Sequence, residues 1–147
     1  MRLSDIWENL LKGESKEKTE KQIPSLDDWD NDDTNFFEDD GGRRWFAPTL
    51  WTAAENKPIK SIPLLNLFDP DEWKRDVEGE SADILENEFS RIARADLSFP
   101  IILTPDGEIC DGFHRAMKAY LLKHKKIMAI QLEEMPEPDE IVDASKY

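Results

Sequence analysis

Five consecutive residues, 111–115 with the sequence DGFHR, combine groups that can bind an anion. Gly112 has no side chain, so a ligand can approach the backbone closely there. Arg115 can donate two parallel hydrogen bonds to a phosphate. His114 adds a donor of a residue type that titrates near neutral pH, and Phe113 stands between it and the glycine. These residue types at this spacing predict a site for a phosphate group.

The flanking sequence predicts that this segment joins a hairpin to a helix. Residues 100–104 (PIILT) and 108–110 (EIC) have the composition of two strands, separated by the turn dipeptide Asp106-Gly107. In the following helix, four apolar side chains recur on one face, and these are Phe113, Met117, Tyr120 and Leu121. The start of a helix presents unpaired N–H groups and the positive end of the dipole, which favours bound phosphate.

Two residues beside the motif have alternative roles. The Asp111 side chain could cap the helix, which is the commoner role for such a residue, or it could contact a metal ion or a ribose. Cys110 is predicted to be a small buried apolar residue and not a nucleophile. Asp106 is predicted to be a turn residue only.

A reaction at the phosphate would need a general base. Glu72, Glu88 and Asp96 are candidates on neighbouring elements. We favour Asp96, because it opens the strand that leads to the motif, and we predict Asp96 and His114 as the catalytic residues. Asp96 could equally end a helix or cap a strand.

The stretch 96–132 resembles the ParB/sulfiredoxin superfamily, whose members carry a strand, a Gly-X-(His/Arg)-Arg signature and a helix. The resemblance extends back to about residue 58. The matching residues are Asp96, Phe99-Pro100-Ile101, Asp106-Gly107, Asp111-Gly112-Phe113-His114-Arg115 and Ala119. The resemblance implies an α+β fold, with a small mixed β-sheet packed by helices. It further implies that residues 111–115 hold a nucleoside di- or triphosphate, with or without Mg2+, and that phosphate is hydrolysed or transferred.

The chain departs from that superfamily in two respects. Sulfiredoxins place a reactive cysteine directly before the His-Arg pair, whereas this chain has Phe113 there and Cys110 three residues earlier. Sulfinic acid reduction is therefore not expected. Long ParB proteins continue into a helix-turn-helix domain, but only residues 133–147 follow the last predicted strand, so that DNA-binding domain is not expected.

Composition narrows the functional classes further. The formal net charge of −14 would repel DNA, so direct DNA binding is not expected. No apolar run has the length of a membrane span and the N-terminus lacks a signal core, which predicts a protein without membrane contact. The single cysteine fits a reducing cytoplasm, and one cysteine with two histidines makes no metal-ligand framework.

Three segments are predicted along the chain. Residues 1–46 form an acidic, partly disordered N-terminal segment with a short amphipathic helix at 4–12, residues 47–135 form the ParB/sulfiredoxin-like domain, and residues 136–147 form an acidic tail. Within the domain, 58–68 predicts an edge strand, Asp69 and Ser81 begin two helices, and 127–132 predicts the last strand.

The tract 27–40 has eight acidic residues and no basic one, interleaved with aromatic residues. We favour the interpretation that the aromatic side chains pack on the domain while the acids are solvated. Alternatively, the arm 27–46 binds a protein partner or mimics DNA. The resemblance implies, as the leading function, a stand-alone protein that binds a nucleotide or phosphate. By analogy, the small size, the acidity and the expected lack of a DNA-binding domain suggest a mobile-element accessory protein. The alternative is a non-enzymatic phage- or plasmid-type accessory factor.

Overall fold

A computed structural model describes residues 36–142 of the 147-residue chain. The predicted helix at 4–12 and the acidic tract up to residue 35 lie outside these residues. The elements of this part of the chain confirm the predicted α+β architecture. That the fold is the one of the ParB/sulfiredoxin superfamily stays a prediction. In chain order the elements are β1 (Phe36–Glu38), β2 (Arg43–Phe46), α1 (Ala47–Ala54), β3 (Lys60–Pro63), a 3-10 turn (Leu64–Asn66), α2 (Pro70–Glu78), α3 (Ala82–Arg94), β4 (Ile101–Leu103), β5 (Ile109–Asp111), α4 (Phe113–Leu121), β6 (Lys126–Gln131) and β7 (Glu140–Ile141).

The strands form two small sheets. The larger sheet is mixed and has the order β3-β6-β4-β5, with β4 parallel to β6 and the other pairs antiparallel. The second sheet, order β1-β2-β7, is antiparallel, and its strands come from the predicted N-terminal segment and tail. No helix between residues 36 and 142 is both long and apolar enough to cross a bilayer.

The mixed sheet is covered on both faces, which explains why β4 is a continuous apolar run. Because side chains alternate along a strand, Ile101 and Leu103 point to one face and Ile102 to the other. The first face packs against α3 and α4, with Ile92 and Met117 fully buried there. The second face packs against α1 and β2. Its buried residues are Trp45, Leu50, Trp51, Ala54, Ile102, Cys110, Ile130 and Leu132.

The local boundary signals in the sequence are confirmed. Asp69 caps α2, since its side chain accepts a hydrogen bond from the Asp71 N–H at 2.9 Å. Ser81 caps α3 by accepting from the Ile84 N–H at 3.4 Å. The strand that ends in Pro63 lies at a sheet edge, where a missing N–H costs little.

Residues of the C-terminal tail form hydrogen bonds with β2 and with the start of α1. Trp45 is only 2% exposed, and its indole N–H donates to the Pro136 carbonyl at 2.8 Å. The Asp139 carboxylate accepts from the Phe46 N–H and from the Thr49 hydroxyl, each at 2.8 Å, so it caps α1 from a distant part of the chain. Trp45 is thus part of the packed interior, as the favoured interpretation of the aromatic residues requires.

A buried lysine joins α3 to α4. Lys118 is fully buried, and its ammonium donates to the Ala93 and Ala95 carbonyls at 2.9 and 2.8 Å. These carbonyls lie at the C-terminal end of α3, where unpaired acceptors and the negative end of the dipole favour a cation. Burial lowers the pKa of Lys118. The contact fixes the end of α3 against α4.

Candidate functional site

The residues that the sequence singles out converge on one open cleft. Its volume is about 940 Å³, within the usual range for small-molecule sites. The end of β5 and the start of α4 form one wall, and the last turns of α3 with the following loop form another. The cleft is lined by all six predicted site residues, namely Asp96, Asp111, Gly112, Phe113, His114 and Arg115.

The helix start has a different cap from the one predicted. Gly112 is the N-cap residue of α4, with φ at +100°, and no side chain caps this end. The capping role favoured for Asp111 is therefore wrong. A Cβ atom on Gly112 would lie 2.6 Å from Ile101 Cγ2 and 2.7 Å from Arg115 Nη2. Glycine is thus required here both by the left-handed backbone and by the close approach of Arg115.

The Asp111 carboxylate holds Arg115 in place instead. Arg115 Nη2 donates to Asp111 Oδ2 at 2.6 Å, and Trp51 Nε1 donates to the same oxygen at 3.1 Å. The two charged side chains are 11% and 17% exposed. Arg115 Nε is buried and finds no hydrogen-bond partner within the part of the chain that the structure describes. The guanidinium is therefore oriented before any ligand arrives, and a phosphate would share it with Asp111.

His114 is paired with one of the three candidate bases. Its Nε2 lies 3.0 Å from Glu88 Oε1, across the gap between α4 and α3. The hydrogen bond with His114 lowers the pKa of Glu88, although burial opposes this shift. Glu72 lies on α2, and its side chain is exposed and outside the residues that line the cleft. The structure thus brings Glu88, not Glu72, to the site.

Asp96 has a structural role in the loop that leads to β4. Its Oδ1 accepts from the Ser98 N–H at 3.0 Å and from the Ser98 hydroxyl at 2.6 Å, which makes a local turn. Asp96 therefore does not open β4, which begins at Ile101, and its side chain stabilises a turn in the loop between α3 and β4. Asp96 also lines the cleft, so a catalytic role is compatible with its position and stays a prediction.

Two arginines in the cleft were not predicted. Arg91 and Arg94 lie on α3, three residues apart, which places them on neighbouring positions of one helix surface. Arg94 Nε donates to the Ser90 carbonyl of its own helix at 3.4 Å. In the sequence both look like ordinary cations near a helix C-terminus, where the negative end of the helix dipole stabilises positive charge. The fold places them in the same cleft as Arg115, in a chain that is otherwise strongly acidic.

Carboxylates also line the cleft and limit its positive charge. They are Glu38, Glu88, Asp96, Glu108 and Asp111. Asp111 is paired with Arg115 and Glu88 with His114. Among residues 36–142, no three His, Cys, Asp or Glu side chains are grouped so that they could hold a metal ion.

Comparison of the chain with protein-family models, with curated proteins and with solved structures found no match. The resemblance to the ParB/sulfiredoxin superfamily therefore rests on the residues that match within the stretch 96–132.

Cys110 is buried, as predicted, and we expect it to be unreactive. It is 9% exposed, its thiol donates to the Ile102 carbonyl, and burial raises its pKa to about 12. At a pH of about 8, roughly one molecule in ten thousand would carry the thiolate. Labelling by a thiol-specific disulfide reagent should be slow in buffer and fast in urea. Rapid labelling of the folded protein would contradict this expectation.

The Glu88–His114 pair predicts a specific dependence of stability on acid. The folded protein holds the pKa of Glu88 below its ordinary value of 4.5, so on acidification the unfolded chain takes up the proton first. The contribution of Glu88 to the free energy of unfolding is present above that value and is lost as the pH falls through the folded pKa. We expect the Glu88→Gln variant to be less stable than the wild type by about 1 kcal/mol or less at a pH near 6, and this difference to shrink as the pH falls below 4.5.

Urea unfolding at a series of pH values measures this difference. Glu86→Gln is the matched control, because Glu86 is exposed on the same helix. A difference between Glu88→Gln and the wild type that stays constant with pH would show that the ion pair does not contribute.

Proposed function

We propose that the cleft binds a nucleoside di- or triphosphate, with a phosphate group between Arg115 and the start of α4. The observation that carries this proposal is the oriented guanidinium of Arg115, held by Asp111 at 2.6 Å beside a helix start whose first residues all line the cleft. The motif resemblance to the ParB/sulfiredoxin superfamily supports the same assignment.

Preorganisation favours binding at this position. Asp111 and Trp51 hold Arg115 in one orientation, so little side-chain entropy remains to be lost when a phosphate arrives. A phosphate at the helix start would also accept from backbone N–H groups that have no partner within the helix. Arg91 and Arg94 add positive charge on the opposite wall, which suits a ligand with more than one phosphate.

Hydrolysis or transfer of a phosphate is the reaction that we propose for this site. Glu88 Oε1 lies within hydrogen-bond distance of His114 Nε2, at 3.0 Å, and a carboxylate partner of this kind orients an imidazole for acid–base catalysis. Asp96 lies on the same cleft as a second carboxylate. Release of inorganic phosphate from any nucleotide that binds would test the reaction.

Calorimetric titration with ATP, ADP, CTP and GTP, each with and without Mg2+, tests the proposal. We expect saturable binding of at least one of these nucleotides. If none binds to the full-length chain, the proposal is wrong.

A negative result would favour the alternative of an acidic interaction protein. The described part of the N-terminal arm carries its own counter-charges, because Asp39 pairs with Arg43 at 2.7 Å and Glu38 with Arg44 at 2.8 Å. These pairs reduce the negative charge that residues 36–46 would present to a basic partner. The structure thus adds no specific support for that alternative.

A further inference from the structure

We propose that Phe113 stacks on the base of the bound nucleotide, and that the site consequently prefers purine to pyrimidine nucleotides. This inference rests on the proposed function. It concerns the part of the ligand that the phosphate contacts do not reach, and it follows from the aromatic side chains of the cleft.

Phe113 is exposed where an apolar helix residue would ordinarily be buried. The sequence pattern places it on the same helix face as Met117, and Met117 is indeed fully buried. Phe113, however, is 42% exposed and lines the cleft. The start of α4 therefore presents an apolar ring beside charged groups, an arrangement that suits a ligand with both a ring and an anionic part.

The other aromatic rings of the cleft are buried or are packed against neighbouring side chains. Trp45, Trp51 and Phe99 are buried, with exposed fractions of 2%, 8% and 6%. The Phe37 ring packs on Trp45, with ring centroids 5.9 Å apart. Phe36 is the other exposed ring, at 40%, but the Arg44 guanidinium carbon lies 4.3 Å from its ring centroid, and Phe46 packs against it as well.

Phe113 has an open face by comparison. Its described ring contact is with His114, at a centroid distance of 6.0 Å and an interplanar angle of 74°. A T-shaped contact of this kind covers at most one face of the ring. Among the described residues that line the cleft, Phe113 is thus the aromatic side chain best placed to stack on a ligand.

The neighbouring charges define the chemical class of that ligand. Arg115, Arg91 and Arg94 line the same cleft. Five carboxylates line it as well, and two of these are already paired, with Arg115 and with His114. A molecule that joins an aromatic ring to anionic groups could therefore contact Phe113 and the arginines together. A nucleoside polyphosphate combines an uncharged aromatic base with negative phosphates. Stacking tolerates any base but strengthens with ring area, which predicts tighter binding of ATP and GTP than of CTP.

Titration of variants with a nucleotide and with inorganic tripolyphosphate separates stacking from phosphate binding. Phe113→Leu keeps the apolar character but removes the aromatic face. We expect it to weaken binding of the preferred nucleotide about fivefold or more, the effect of losing one base–aromatic stack. Its affinity for tripolyphosphate should equal that of the wild type, and Phe113→Trp should restore nucleotide binding. Leu65→Ala, at an exposed apolar residue outside the cleft, is the control and should bind both ligands normally.

The outcomes distinguish this inference from the proposed function. If Phe113→Leu binds the nucleotide as tightly as the wild type does, Phe113 does not stack, while the phosphate site still stands. If it loses nucleotide and tripolyphosphate equally, Phe113 only shapes the helix start and the inference is again wrong. A wild-type preference for CTP would overturn the purine preference. If the wild type binds neither the nucleotide nor tripolyphosphate, the proposed function itself is refuted.

Discussion

Replacing Arg115 by alanine is expected to weaken nucleotide binding at least tenfold. A hydrogen bond to a charged group is worth about 1.5–3 kcal/mol, and Arg115 is the guanidinium nearest to the start of α4. The loss should appear in calorimetric titration as a higher dissociation constant. Arg115→Lys should also lose affinity, since an ammonium group cannot form the two parallel hydrogen bonds that a guanidinium offers a phosphate.

The structural role of Arg115 has to be separated from its role in binding. Arg115→Ala leaves the Asp111 carboxylate, which is 17% exposed, with Trp51 as its remaining described partner. Thermal unfolding must therefore show that the variant is folded before its affinity is interpreted. Arg75→Ala is the matched control, because Arg75 is exposed on α2 and outside the cleft. A folded Arg115→Ala protein that binds nucleotide as the wild type does would refute the phosphate assignment.

Replacing Trp45 by alanine is expected to lower the free energy of unfolding by about 3–5 kcal/mol, as is typical of a large aromatic residue removed from a core. Trp45 is 2% exposed, and its indole N–H donates to the Pro136 carbonyl, so the substitution removes both packing and a link to the tail. Urea unfolding measures this loss. Phe36→Ala, an exposed aromatic in the same sheet, should cost much less.

The buried position of Trp45 also predicts the effect of removing the residues before Pro48. A chain that begins at Pro48 keeps nearly all of the domain predicted from the sequence, but it lacks Trp45 and the strands β1 and β2. Without Trp45, the apolar side chains of Leu50 and Ile130 lose a buried neighbour. We expect this truncated chain to aggregate or to unfold without cooperativity. A soluble truncated chain with a sharp unfolding transition would show that the β1-β2-β7 sheet is dispensable.

The ion pair between Asp111 and Arg115 fixes the position of the Arg115 side chain before any ligand binds. The carboxylate orients the guanidinium, but it also competes with any phosphate for the same donors. Trp51 donates to the same carboxylate oxygen as Arg115 does and so helps to fix Asp111. The arrangement of the site therefore depends on α1 as well as on the motif, although α1 lies some sixty residues earlier in the chain.

Much of the local structure around the site follows from the sequence. The hairpin from β4 to β5, the caps at Asp69 and Ser81 and the start of α4 after Gly112 were all predicted. These features depend on interactions between residues that are at most a few positions apart. The turn residues set the backbone angles, and the caps pair N–H groups in the next turn. Such signals are visible without knowledge of the fold.

The surroundings of the motif depend on contacts between distant residues and were decided by the tertiary structure. The start of α1 has a local signal in Pro48, but its contact with Asp139, which lies 93 residues from Phe46 and accepts from the Phe46 N–H, depends on the fold. The burial of Lys118 requires the carbonyls at the end of α3. The cap role expected of Asp111 gave way to its pairing with Arg115. The positions of Arg91, Arg94 and Glu88 in the cleft, and the exposure of Phe113, result from how α3 packs beside α4. The sequence therefore determined which segment opens the helix, whereas the packing of distant elements determined which side chains surround it.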